Sequence, residues 1–398
     1  MVKSVIFERL RIVVQALLAG SDEWRGLRRC DILFVAHDGD FGQIEENKYY
    51  SPILDPLYSI YRSSGYDVLN VMKPFSKKSS NRLWSKGLRF NWSFLLAKIC
   101  TRLGIGRIYN EERVWRRILS ICEPRLVIGI QPSAELCRVC KEVKITIYDV
   151  QHGVIESSAR KYSRLIESSP KFLVWDERSA NVLRAYGFGE KDVTVIGHPF
   201  HFRYHKKMFL PEKVMDFRSF PIGRGDRKTI LITLQYDLQH FYGTTFEYLP
   251  SSLEKFIHRH YDRYDFMIRM HPLKREKQLK YLKKSYRSDM IDYEECSIAP
   301  LPLVLERADI HITYHSSTTI EASWYGVPTI LLSPAEHRMV DGKDFLEYEI
   351  RRGVAVEIDP MEEGFDDKLE DFIGKEHDLP KIFDQIDTRE KILELLNE

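Results

Sequence analysis

Short uninterrupted apolar runs alternate with stretches of helical spacing along most of this chain. Unbroken runs of this kind mark strands buried on both faces of a parallel sheet, and the spacing between them marks helices that cover those faces. In the first half, strands are predicted at Asp31 to Ala36, Asp67 to Met72, Arg125 to Ile130, Ile145 to Val150, Phe172 to Trp175 and Val193 to Ile196. Helices are predicted at Ser51 to Ser64, Glu111 to Cys122, Ser133 to Val143 and Arg178 to Tyr186. After Gly197-His198-Pro199 the pattern dissolves into an aromatic and basic stretch that ends near Gly223-Arg-Gly-Asp-Arg227. It then restarts, with strands at Thr229 to Gln235, Phe266 to Met270, Ile310 to Tyr314 and Thr329 to Leu332. Helices are predicted there at Ser251 to His260, Lys274 to Ser285, Asp366 to Ile373 and Thr388 to Asn397. Alternating strands and helices imply doubly wound α/β sheets, and 398 residues exceed one ordinary core. Two Rossmann-like domains are expected, 1–205 and 206–398.

With 43% hydrophobic and 30% charged residues, the composition is that of a soluble globular protein. No apolar run approaches the length that spans a bilayer. The apolar stretch from Ile12 to Ala19 follows Glu8, Arg9 and Arg11 and reads as an amphipathic helix, not a signal peptide. Six cysteines without regular spacing suit a reducing, cytoplasmic setting, and Cys137-x-x-Cys140 inside a helical pattern reads as buried thiols. The net charge of +2 hides an asymmetry, because residues 73–107 carry nine Lys or Arg and no acid, interleaved with Phe75, Trp84, Phe90, Trp92 and Phe94. Such a surface suits anionic lipid headgroups or a polyanionic acceptor; a solvated helical face is the plain alternative. Nucleic acid ranks last, because no nucleic-acid-binding motif is present.

Candidate chemistry gathers at the predicted C-terminal ends of strands, where ligands of open α/β sheets bind. The strand ending at Tyr314 is followed by His315-Ser316-Ser317-Thr318-Thr319-Ile-Glu321, then by a turn at Gly326-Val-Pro328. Hydroxyls and backbone N–H groups at that helix start suit a phosphate, and Glu321 suits ribose hydroxyls. Serines and threonines that merely cap a helix are the bland reading. His271-Pro272 closes another strand, and Asp237 follows a third as nucleophile, base or cap. In the first half, Gln151-His152-Gly153 ends a strand with Glu156 close behind, which makes His152 or Glu156 a candidate acceptor base. Asp38-Gly39-Asp40 has the spacing of a metal site but follows the first strand as a loop beside Gly42, so no metal is expected. Neither a P-loop nor a Gly-x-Gly-x-x-Gly motif is present.

Taken together, Asp38-Gly-Asp40, Gln131-Pro132-Ser133, Gln151-His-Gly-Val-Ile-Glu156, Asp237, His271-Pro272, and Ser316-Ser317 with Glu321 resemble, in this order, the bacterial retaining β-Kdo transferases of O-antigen and capsule assembly. The resemblance implies a GT-B fold with two Rossmann-like domains facing a cleft and terminal helices returning to the first domain. It implies CMP-β-Kdo as donor and a saccharide acceptor, lipid-linked, at the inner face of the plasma membrane, with no cofactor and no metal. It also implies double displacement. Asp237 captures the sugar; His271, Pro272, Ser316, Ser317, Thr318 and Glu321 bind the nucleotide-sugar. Asp38, Gly39, Asp40, Gln131, Ser133, Gln151 and His198 belong to the acceptor side, with His152 or Glu156 as the base. A sialyltransferase, a glycerophosphotransferase, a UDP-sugar 2-epimerase and a non-catalytic polysaccharide-binding module remain as alternatives.

Overall fold

A computed structural model describes residues 11, 13–41, 43–45, 48–76, 86–206, 226–287, 290–382 and 386–397. The chain divides into two compact units, one formed by Met1–Arg203 with Ile386–Glu398, the other by Tyr204–Gln385.

The first unit is built on a seven-stranded sheet. Its strands are β1 (Ile32–Ala36), β2 (Val68–Met72), β3 (Gly87–Leu88), β4 (Leu126–Gly129), β5 (Thr146–Val150), β6 (Lys171–Val174) and β7 (Val193–Val195). They lie in the order β3-β2-β1-β4-β5-β6-β7, all neighbours parallel. Every residue of β1, β2 and β4 is buried, as a sheet covered on both faces requires. Helix Glu111–Cys122 shows the local logic. Asn110 caps its first turn by accepting from the Arg113 N–H, two glutamates meet the positive end of the dipole, and Val114, Trp115, Ile118, Leu119 and Cys122 form the buried stripe. Cys137 and Cys140 are buried free thiols.

The C-terminal helix Thr388–Glu394 belongs to this same unit. The Thr388 hydroxyl donates to the Ile196 carbonyl (2.5 Å), the Tyr61 hydroxyl to the Ile392 carbonyl (2.7 Å), and Arg125 to the Leu396 carbonyl (2.5 Å). Gly197, at φ +72°, passes so close that a Cβ there would meet the Thr388 hydroxyl at 3.0 Å.

The second unit holds β8 (Thr229–Thr233), β9 (Asp265–Arg269), β10 (Ile291–Asp292), β11 (Ile310–Thr313), β12 (Thr329–Leu331) and β13 (Ala355–Glu357), in the order β10-β9-β8-β11-β12-β13. All neighbours are again parallel, so the chain reverses direction of travel at β8 as the first sheet does at β1. Helix Phe365–Gly374 stays with this unit.

The structure corrects one expectation about surface. Phe90 and Phe94 of the basic, aromatic segment are fully buried and Phe75 is half-buried, whereas Trp92 is exposed. Phe94 packs against Trp115 at 5.0 Å between ring centroids, and Phe90 against Trp24 at 4.6 Å, so core packing claims both rings. Trp84, Gly42, most of the segment before Gly223-Arg227 and residues 1–10 lie outside the described residues.

Candidate functional site

In the second unit β9, β8 and β11 are neighbours, and each hands the chain to chemistry-bearing residues: His271-Pro272 after β9, Gln235-Tyr236-Asp237 after β8, and His315-Ser316-Ser317-Thr318 after β11. Two glutamines tie these ends together. Gln278, fully buried on helix Arg275–Ser285, accepts from the His271 N–H (2.7 Å) and donates to the Gln235 carbonyl (2.7 Å). Gln235 in turn accepts, through its side chain, from the His315 N–H (3.2 Å). Three strand ends are thereby fixed by one chain of hydrogen bonds.

His271 caps the turn Pro272–Lys274, its Nδ1 accepting from the Leu273 N–H (3.2 Å). Burial, with Lys274 beside it, pushes the imidazole down to about 4. A neutral ring whose Nδ1 accepts carries its proton on Nε2, so His271 offers a fixed N–H donor at neutral pH. Asp237 sits at φ 54°, a left-handed conformation few non-glycine residues adopt. Its side chain does not cap the helix Leu238–Tyr242 that follows. It pairs with Lys274 Nζ at 3.1 Å, with both groups partly open to solvent.

Ser316 Oγ accepts from the Thr318 N–H (3.2 Å), and the Thr318 and Thr233 hydroxyls stand 3.4 Å apart. Glu321 is buried within helix Thr318–Trp324. An aromatic group unseen in the sequence adjoins this end of β11. His315 Nε2 bonds the Tyr242 hydroxyl (3.0 Å), Tyr314 bonds His337 (2.6 Å), and Tyr242 packs 5.2 Å from the His337 ring. Burial pushes His315 down to about 4, and its buried Nδ1 meets no partner.

In the first unit β1, β4 and β5 are neighbours and present Asp38-Gly39-Asp40, Gln131 and Gln151-His152 at their C-terminal ends. Asp38–Asp40 is a single 3-10 turn. His37 Nδ1 accepts from the Gly39 N–H (3.1 Å), and Asp40 accepts from the His37 N–H (2.7 Å). Burial raises Asp40 above the usual carboxylate range; His152, exposed at the surface, is lowered through desolvation by the protein on its inner side while the Asp40 charge opposes that fall. The Gln151 side chain accepts from the Trp175 N–H (2.9 Å) and donates to the Gly153 carbonyl (3.0 Å). Ser133 caps helix Ala134–Glu142 and donates to Glu111 (3.1 Å). Glu156 pairs with Arg178 at 2.7 Å, both side chains largely buried. His198 follows β7, its ring 4.4 Å from those of Trp175 and His201.

Gln131 shares the left-handed backbone of Asp237, at φ 46°. Asp149 on β5 holds it by accepting from the Gln131 N–H (2.6 Å), while Lys73 and Lys161 donate to the Gln131 carbonyl (3.0 and 3.3 Å). Burial pushes the Asp149 carboxyl up to about 7, and its second oxygen meets no partner. A raised acid prefers its proton in the folded state, so Asp149 costs nothing below the ordinary range near pH 4, and its cost is complete above about 7. Unfolding free energy is therefore expected to fall between about pH 4 and 7, by roughly 1 to 4 kcal/mol from this group. Asp149→Asn keeps the bond to Gln131 and removes that slope; equal slopes in urea unfolding of both proteins across this range would discount the effect.

No family model and no curated protein matches the sequence. Solved structures do. The UDP-GlcNAc 2-epimerase from Neisseria meningitidis, bound to UDP-GlcNAc, is 14% identical with a TM-score of 0.55, covering 92% of this chain and 99% of its own. The enzyme of the same name from Methanocaldococcus jannaschii is 15% identical at 0.53, with the same shares covered. The wall teichoic acid polymerase TagF, soaked with CDPG, is 14% identical at 0.51, covering 100% of this chain and 90% of its own. The chain has their fold. With its two parallel sheets, each in Rossmann-like order, it is a GT-B protein by architecture.

Proposed function

We propose that this protein is a glycosyltransferase that moves Kdo from CMP-β-Kdo to a saccharide acceptor, with retention, in bacterial surface polysaccharide synthesis. The observation that carries glycosyl transfer is the junction of β8, β9 and β11, where Asp237, the neutral donor His271 and the hydroxyls of Ser316 to Thr318 end three hydrogen-bonded strands. Kdo as the sugar rests on the motif resemblance.

In this reading Asp237 attacks the anomeric carbon as the bond to the CMP oxygen breaks, and CMP leaves with that electron pair. His271, Ser316, Ser317 and Thr318 stabilise the charge growing on its phosphate, and Glu321 binds the ribose; no metal is required. Lys274 neutralises Asp237 at rest and is the cation assigned to the carboxylate of a Kdo donor. The acceptor hydroxyl then attacks the same carbon, loses its proton to His152, and displaces Asp237, so two inversions give retention. His152 is preferred to Glu156 as the base because Glu156 is committed to Arg178. Asp38, Gly39, Asp40, Gln131 and His198 are assigned to the acceptor side, with the acceptor a lipid-linked saccharide in the cytoplasm.

His271→Ala and Ser316→Ala are each expected to weaken CMP binding by about 1.5 to 3 kcal/mol, roughly tenfold to a hundredfold or more, because each removes a group aimed at a charged phosphate. Calorimetry reads this directly, and unchanged affinity in both variants would remove the nucleotide from this junction. Transfer is tested with CMP-Kdo generated in situ, beside CDP-glycerol and UDP-GlcNAc. Consumption of CDP-glycerol alone selects phosphoglycerol transfer, and isomerisation of UDP-GlcNAc without acceptor selects an epimerase.

A further inference from the structure

Among the described residues, eight of the eighteen exposed large hydrophobic side chains fall in two adjoining pieces of the first unit. Trp92, Leu96, Ile99 and Leu103 run along helix Asn91–Arg102 and its C-cap at 49, 52, 43 and 69% exposure, and Ile105 and Ile108 continue the line. At about 100° per residue, the first four lie within about 60° of one another, a single stripe on the outer face. The opposite face explains why the helix is anchored: Phe94 and Ala97 are buried in the core. The second piece is the helical stretch 13–18, with Val14 and Leu18 exposed. It adjoins the first because Asn91 donates to the Ala16 carbonyl (2.9 Å) and Arg89 to the Ala19 carbonyl (2.6 Å).

A stripe of this kind is costly in water and needs an occupant. Charge selects which. Arg102, about a quarter-turn from the stripe, and Arg107, just past the helix, are exposed, and neither meets an acid among the described residues, whereas Lys98 turns away with its Nζ 4.6 Å from the centre of the Phe75 ring. The acids nearby have other partners: Asp22 accepts from the N–H groups of Trp92 and Ser93, Glu23 pairs with Lys86 and Arg89, and of the three glutamates lining one cavity with Arg102 and Arg107, Glu112 and Glu135 pair with Arg138 while Glu111 accepts from Trp115 and Ser133. We infer that the stripe Trp92-Leu96-Ile99-Leu103, with Val14 and Leu18, lies in the headgroup boundary of an anionic bilayer while Arg102 and Arg107 at its flank meet lipid phosphates. An indole and branched aliphatic side chains on one face, flanked by unpaired guanidinium groups, are the chemistry of an interfacial helix. The inference is independent of which sugar or nucleotide the protein uses.

The full chain is tested by flotation with vesicles of phosphatidylglycerol mixed with phosphatidylcholine, and with phosphatidylcholine alone. The wild type is expected to float with the anionic vesicles and to be released by salt. Leu96→Ser with Leu103→Ser, and separately Arg102→Glu with Arg107→Glu, are expected to weaken partitioning by about tenfold or more while leaving circular dichroism unchanged, since all four side chains are exposed. Wild type that stays in solution, or variants that float as well as it does, would overturn the inference. So would a wild-type dimer in gel filtration that becomes a monomer in Leu96→Ser with Leu103→Ser, which would make the stripe a contact between copies.

Discussion

Asp237→Asn is expected to lower transfer by at least about a thousandfold while CMP still binds, because the amide keeps the shape of the carboxylate and loses its nucleophilicity. The local geometry makes this a clean substitution. Asp237 caps no helix, its charge is met by Lys274 from another strand end, and asparagine tolerates a left-handed backbone as aspartate does. Incubating wild type with donor and no acceptor should add the mass of one Kdo to the peptide that carries Asp237. A variant that forms retained product at near the wild-type rate, with no adduct trapped on wild type, would give the chemistry to another group.

Gln278→Leu should have the second largest effect, and it acts on two quantities at once. Leucine fills a similar volume but leaves the His271 N–H and the Gln235 carbonyl, both at a partly buried junction, without these partners. A fully buried orphan costs about 1 to 3 kcal/mol, and at this partly buried junction the two together should lower the unfolding free energy by roughly 1 to 3 kcal/mol. The surviving folded protein should bind CMP more weakly, since His271 and the β11 end lose their common tether. Urea unfolding and calorimetry on the same preparation separate the two effects. Full CMP affinity in a folded variant would show that Gln278 serves stability alone.

Gln278 also shows where the sequence stops being readable. It stands in Arg275-Glu-Lys-Gln-Leu-Lys, which by composition is a solvated helical face, and only the sheet beneath reveals that it is buried. The central strands were legible because burial on both faces leaves an unbroken apolar run, as in β1 and β8. Strands β3 and β10 have two residues each, too few for any period to register. Helix Pro199–His205 is an aromatic and histidine-rich sequence that reads as linker, and helix Ile155–Tyr162 buries Ser158 and Ala159 where a pattern search wants larger side chains. At the site, the strand-end positions of Asp237, His271 and Ser316 followed from local pattern. The Asp237–Lys274 pair, the Glu156–Arg178 pair and the Tyr242–His315 contact join residues on different elements, so no window along the chain contains their cause.

The return of Thr388–Glu394 to the first unit sets an order on synthesis. A ribosome delivers residues up to Arg203 before Tyr204–Gln385, yet Tyr61, Arg125 and Ile196 receive their partners only when Thr388, Ile392 and Leu396 emerge. Until then the second unit, continuous from Tyr204 to Gln385, can complete itself while the first waits with an open seam. The unit made earliest is thus the one finished last, and a nascent chain stalled before Ile386 should expose a protease-sensitive first half beside a folded second.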